Sequence, residues 1–103
     1  MNPAARRGQK IFGEKGHCAR CHKGEEYTSE SNYDVKLEGD GSPYMLWNPP
    51  SLRGLYDRGP FLHDGRARTL DELLQKHHAS EKLGGEVLTP DERADLIEFL
   101  QAL

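Results

Sequence analysis

The sequence predicts a small all-α domain of about three main helices and one long irregular loop. Three observations lead there. Each end of the chain carries helix-start residues followed by apolar residues at helical spacing. The only two cysteines stand in Cys18-Ala-Arg-Cys21-His22, the signature for covalent attachment of a c-type haem. The chain is also short of core material, with 103 residues, 35% of them hydrophobic, and a mean hydropathy of -0.83. A domain this small is marginal without help. The flat apolar macrocycle is therefore expected to form part of the core, and the haem-free chain to be largely disordered.

Each part of the motif has a chemical reason. The two thiols add across the vinyl groups of the porphyrin, so they must project from one turn toward one edge of the macrocycle. His22 then falls under the iron as its proximal axial ligand. Half of a zinc site is the other use of such a pair, but tetrahedral zinc needs two further ligands and no third cysteine exists. A thioredoxin-like pair needs a preceding strand within a βαβ pattern, whereas the residues before Cys18 read as helix. With both cysteines bound to haem, no disulfide is expected.

Asn2 and Pro3 open the first helix as N-cap and first-turn proline. Ala4, Ala5, Gly8, Ile11 and Phe12 make one face of it. Gly8 costs about 1 kcal/mol of helix propensity against alanine, which points to close approach by another element, expected to be the C-terminal helix. From Gly24 to Pro50 helical periodicity is lost. Tyr33, Val35 and Leu37 alternate with polar residues before the turn-forming run Glu38 to Pro43, so a long loop with a short irregular hairpin is expected. Such a length suits a loop that wraps the haem edge. Ser51 to Tyr56 suits a short helical turn, and Arg58 to Arg66 is rich in breakers. Thr69-Leu-Asp-Glu72 has capping-box spacing and starts a helix carrying Leu70, Leu73, Leu74 and His77. Gly84-Gly85 closes the next connection. Thr89, Pro90 and Glu92 start the last helix, whose stripe of Leu96, Phe99, Leu100 and Leu103, flanked by Ile97, is expected to meet Ile11 and Phe12 across Gly8.

Net charge is -3, and haem propionates make it more negative. The basic residues are scattered among acidic ones, which argues against nucleic acid. No apolar run approaches the roughly 20 residues that span a bilayer, and no secretory signal is present. The expected organisation is one domain over residues 1–103.

The N-terminal helix, the CxxCH motif and the capped C-terminal helix resemble cytochrome c, which implies the cytochrome c fold. Pro50-Ser-Leu-Arg-Gly54, Gly59-Pro-Phe-Leu-His-Asp-Gly65 and Thr69-Leu-Asp-Glu-Leu73 resemble more narrowly the C-terminal haem domain of the bacterial dihaem cytochrome c peroxidases and their MauG-type relatives. Tyr27-Thr28 and Tyr33-Asp34 fit the aromatic pattern that follows CxxCH there. Nearly the whole chain is covered. In that family peroxide chemistry belongs to the N-terminal haem, and the C-terminal haem relays electrons. This chain has one CxxCH and resembles the relay half, so peroxidase activity is not implied. Haem attachment of this kind implies a periplasmic location, outside the bacterial cytoplasmic membrane, for a mature form or an excised domain.

The resemblance also indicates a second axial ligand, at the ninth position of the segment that begins at Thr69. Here that residue is His77, which makes the expected iron bis-histidine, His22 with His77. His78, Met45 and His63 are the other candidates, and His77 and His78 also suit a solvated helix end. Met45 suits packing against the haem rim, His63 a hydrogen bond within its own turn, and His17 the surface or the haem edge. By resemblance, a carbonyl at Pro49 or Pro50 accepts from His22 and Arg53 pairs with a propionate. Trp47 and Tyr44 are expected at the haem edge or in the core. The function that follows is electron transfer through one haem c, with a redox partner protein or an adjacent domain of a larger chain. A haem sensor whose distal histidine yields to carbon monoxide or nitric oxide is the alternative, and reversible carbon monoxide binding separates the two.

Overall fold

A computed structural model of the protein describes residues 1–36, 46–55, 58–62 and 65–103. Three helices organise them: α1 (Pro3–Gly13), a short α2 (Leu70–Glu72) that continues as a wider turn over Leu73–His77, and α3 (Pro90–Gln101). The helix starts are built as their residues predict. Asn2 accepts from the Ala5 N–H at 2.7 Å. Thr89 and Glu92 form a complete capping box, with each side chain accepting from the other's backbone N–H. At α2 the Thr69 hydroxyl accepts from the Glu72 N–H at 3.1 Å.

The fold is anchored where α1 crosses α3. Gly8 is buried there, and a Cβ on it would lie 2.0 Å from the Asp95 carbonyl oxygen. The missing side chain lets the two backbones touch, so that Ile11 and Phe12 reach Leu96, Phe99 and Leu100 in one core cluster. Leu96 is 0% and Phe99 1% exposed. Phe12 meets Phe99 edge-on at 5.3 Å between ring centres, and Tyr27 joins both at 5.6 and 6.2 Å. Arg7 with Asp95 at 2.8 Å and Lys15 with Glu92 at 2.5 Å flank the crossing.

Among the described residues there is no strand. Isolated antiparallel pairings join Lys23 to Thr28, Tyr33 to Trp47 and Phe61 to Ala67. The Tyr33–Trp47 pair joins the two limbs of the expected hairpin. No described helix is long and apolar enough to cross a membrane.

Candidate functional site

The haem motif follows α1 directly. Gly16 ends the approach, because a Cβ there would meet the Ile11 carbonyl at 2.8 Å and the Cys18 sulfur at 3.1 Å. His17 takes a left-handed φ of 58°, and Cys18–Arg20 make one tight turn. The N–H groups of Cys21 and His22 return to the Cys18 carbonyl at 3.3 and 3.0 Å, which puts both thiols and the imidazole on a single turn of chain. Burial pushes the Cys18 thiol up to about 12. Cys21 is also raised by desolvation, against the pull of Arg20 and Lys23.

His22 Nδ1 lies 2.9 Å from the Tyr27 carbonyl and 3.1 Å from the Pro50 carbonyl. Carbonyls only accept, so Nδ1 carries the proton and Nε2 keeps its lone pair. Burial holds the His22 imidazole below its usual range while the two carbonyls oppose that shift. The ring is therefore neutral and oriented, as a metal ligand requires.

The imidazole that the structure brings beside it is that of His78. The ring centres of His22 and His78 are 6.4 Å apart with their planes at 86°. Burial, with His22 and Lys82 nearby, pushes the His78 imidazole down to about 4, so its lone pair is free at pH 7. Its Nδ1 is shielded and has no hydrogen-bond partner. His77 is half-buried, its Nε2 3.8 Å from Glu72 Oε1.

The resemblance indicates His77, the ninth position from Thr69, and the local backbone bears on the choice between it and His78. The turn over Leu73–His77 is a π turn, closed by a bond from the His78 N–H to the Leu73 carbonyl at 2.7 Å, five residues back. A π turn takes one extra residue, and the residue after this one, His78, has its ring beside His22.

The remaining expected residues are spread more widely. The Pro50 carbonyl is on His22, as described. Arg53 donates from Nε to the Glu25 carbonyl at 2.7 Å, and its guanidinium lies 5.4 Å above the Tyr27 ring. Trp47 is half-buried and pairs through its backbone with Tyr33 at 2.8 and 2.9 Å. His17 sits beneath Gly84, its Nδ1 3.5 Å from where a Cβ would be. His63, Met45 and Tyr44 lie outside the described residues. Sequence reasoning missed the Tyr27 carbonyl. A left-handed residue beside a glycine turn leaves no composition signal when that residue is tyrosine.

The fold and this site define a cytochrome c: the cytochrome c family model matches residues 5–103, and the chain belongs to that family. It therefore carries one covalently attached haem c, and its two cysteines are the only ones available for it. The residues present fit the group, with a thiol pair, an oriented neutral histidine and a second histidine whose buried nitrogen has no partner. Similar proteins include the methylamine utilization protein MauG of Methylophilus methylotrophus, 32% identical over all of this chain and 37% of its own length. A cytochrome-c peroxidase of Denitromonas iodatirespirans is 33% identical over 80% of this chain and 27% of its own. Among solved structures, hydrazine synthase of Kuenenia stuttgartiensis superposes at a TM-score of 0.82 with 25% identity, covering all of this chain and 47% of that one. The chain thus spans less than half the length of these relatives. Their names agree with the narrower resemblance carried by the Pro50–Gly54 and Gly59–Gly65 segments.

Proposed function

We propose that this domain carries single electrons through a bis-histidine haem with His22 as proximal and His78 as distal ligand. One observation supports the pair above all: the rings of His22 and His78 lie with centres 6.4 Å apart, both neutral at pH 7. The haem iron supplies a one-electron couple between its ferric and ferrous states. The protein's residues hold that couple in place. His22 keeps its tautomer through two carbonyls, and His78 blocks the position where a substrate would bind. Two nitrogen ligands in place of nitrogen and thioether favour the ferric state, so the potential lies below that of His/Met cytochromes.

The domain works outside the cytoplasmic membrane, either as a free carrier or as part of a larger oxidoreductase. It exchanges electrons with a redox protein or an adjacent domain through a small interface, under about 1,200 Å².

Electron paramagnetic resonance of the ferric, haem-loaded protein tests the ligand pair. The wild type and His77→Ala are expected to give low-spin signals typical of two imidazoles, and His78→Ala a high-spin signal. High-spin iron in His77→Ala with low-spin iron in His78→Ala reverses the assignment. High-spin iron in the wild type removes the carrier reading and favours a ligand-binding haem.

A further inference from the structure

The proximal side is held by more than the one carbonyl that the sequence leads one to expect. Segments 25–33 and 47–53 are stitched side by side. The Asn48 amide donates to the carbonyls of Ser29 and Ser31 at 2.7 and 3.1 Å, and the Ser51 hydroxyl to that of Glu26 at 2.6 Å. Thr28 sits at the centre of this seam. Its hydroxyl donates to the Pro49 carbonyl, whose carbon is bonded to the Pro50 nitrogen. Its own nitrogen belongs to the peptide that presents the Tyr27 carbonyl to His22. Its backbone is pinned in turn by paired bonds with Lys23 at 2.9 and 3.0 Å. Tyr27 takes a left-handed φ of 53° to make this presentation. A bulky residue in that region is strained, and such strain persists only where the surroundings over-determine it.

We propose that Thr28 is a positioning residue for the haem. It holds the carbonyls of Tyr27 and Pro50 together on the His22 Nδ1–H and so lowers the reduction potential. The inference rests on His22 being the proximal ligand and is independent of which histidine is distal. The physics is direct. An N–H shared by two acceptors leaves more negative charge on the imidazole ring than one bound to a single carbonyl, and outer partners of this kind raise ligand basicity. A more basic ligand favours ferric over ferrous iron. Thr28 is the residue that both carries the nitrogen of the Tyr27 peptide and bonds through its hydroxyl to the Pro49 carbonyl, whereas Asn48, Ser51 and Arg53 secure the seam on either side of it.

The test is a spectroelectrochemical titration of haem-loaded Thr28→Val, which keeps the side-chain shape and removes the hydroxyl, beside Thr28→Ser, which restores it. The expected result for Thr28→Val is a shift of the redox equilibrium toward ferrous iron of roughly 2- to 10-fold, the worth of one hydrogen bond. Its ferric iron should keep the wild-type spin state, and Thr28→Ser should return to the wild-type potential. A lower melting temperature with an unchanged potential would show Thr28 to be merely structural and overturn the proposal. Where Thr28→Val fails to take up haem, Ser51→Ala loosens the same seam at Glu26 and carries the same expectation, and an unchanged potential there overturns it equally. Failure of the His22/His78 pair is seen separately, in the wild-type resonance spectrum. Failure of this proposal is seen only in the difference between variant and wild type.

Discussion

Replacing Gly8 by alanine tests the crossing on which the fold depends. The new methyl would lie 2.0 Å from the Asp95 carbonyl oxygen, 2.6 Å from its carbon and 2.9 Å from Leu96 Cα. All three are backbone atoms of α3, so no side chain can swing aside and the helices themselves must separate. Reaching an ordinary non-bonded distance of about 3.5 Å requires a shift of roughly 1.5 Å, and gaps of 0.5–1 Å already forfeit a quarter to a half of a dispersion contact. The contacts at risk are those of Phe12 with Phe99 and of Ile11 with Leu96 and its neighbours. Overpacking of this kind costs about 1–3 kcal/mol, and rigid backbone on every side puts it at the upper end. Alanine returns about 1 kcal/mol of helix propensity, which leaves a net loss of about 2 kcal/mol. For a domain of this length that lowers the melting temperature by about 10 °C. Thermal unfolding of the haem-loaded protein, followed by far-ultraviolet circular dichroism, measures it. Gly13→Ala serves as the control, because its Cβ meets nothing within 4 Å. A Gly8→Ala protein that melts at or above the wild-type temperature refutes the reasoning.

Gly85→Ala should loosen the distal side, because its Cβ would lie 2.7 Å from the Lys15 carbonyl and 3.1 Å from those of Gly16 and Ser80. The reduced, haem-loaded variant is expected to bind carbon monoxide more readily than the wild type, and equal binding by the two proteins refutes this. Glu92→Gln keeps the capping geometry and removes the charge. The hydrogen bond from Lys15 and the Thr89 N–H hold the Glu92 carboxyl below the usual carboxylate range. Its stabilising effect is thus present above that range and lost as pH falls through the folded value. The wild type should be the more stable protein at neutral pH, and the gap to Glu92→Gln should close on acidification. A gap that stays constant between neutral and acid pH refutes it.

What was legible in the sequence was local. Asn2, Thr89, Pro90 and Glu92 act within one turn of themselves, so their residue types suffice to start helices. Gly8 was legible because a glycine on an apolar helical face has few other uses. The haem motif was legible because its chemistry is confined to five consecutive residues. Two features depended on more than local identity. The proposed choice of His78 over His77 rests on whether one backbone N–H reaches back four or five residues, and two adjacent histidines hide that difference in the sequence. The Tyr27 carbonyl depended on a seam between segments about 20 residues apart, fixed by side-chain donors to backbone acceptors. Such bonds have no periodicity to reveal them.

With the proposed pair His22 and His78, the two sides of the haem would be held by different means, yet both are referred to the same short stretch of chain. His22 follows Cys18 on a single turn and is fixed by the carbonyls of a seam that runs from Glu25 to Arg53. His78 comes from a separate helix, and the chain after it returns through Ser80–Leu83 to lay the Glu86 N–H on the Lys15 carbonyl at 2.8 Å. Lys15 precedes Cys18 by one loop residue pair, Gly16 and His17, and it is itself tied to Glu92 on α3. The distal segment, the haem turn and the crossing of α1 with α3 therefore share one anchor. An electron carrier benefits from this arrangement, because ligands that keep their places in both oxidation states leave little to reorganise when the electron moves. The segment bearing His78 is tied on by the Glu86–Lys15 backbone bond, the close approach of Gly85 and the Asp71–Arg93 pair at 3.0 Å. That distal side is the one on which a small change in sequence would turn a carrier into a haem that binds ligands.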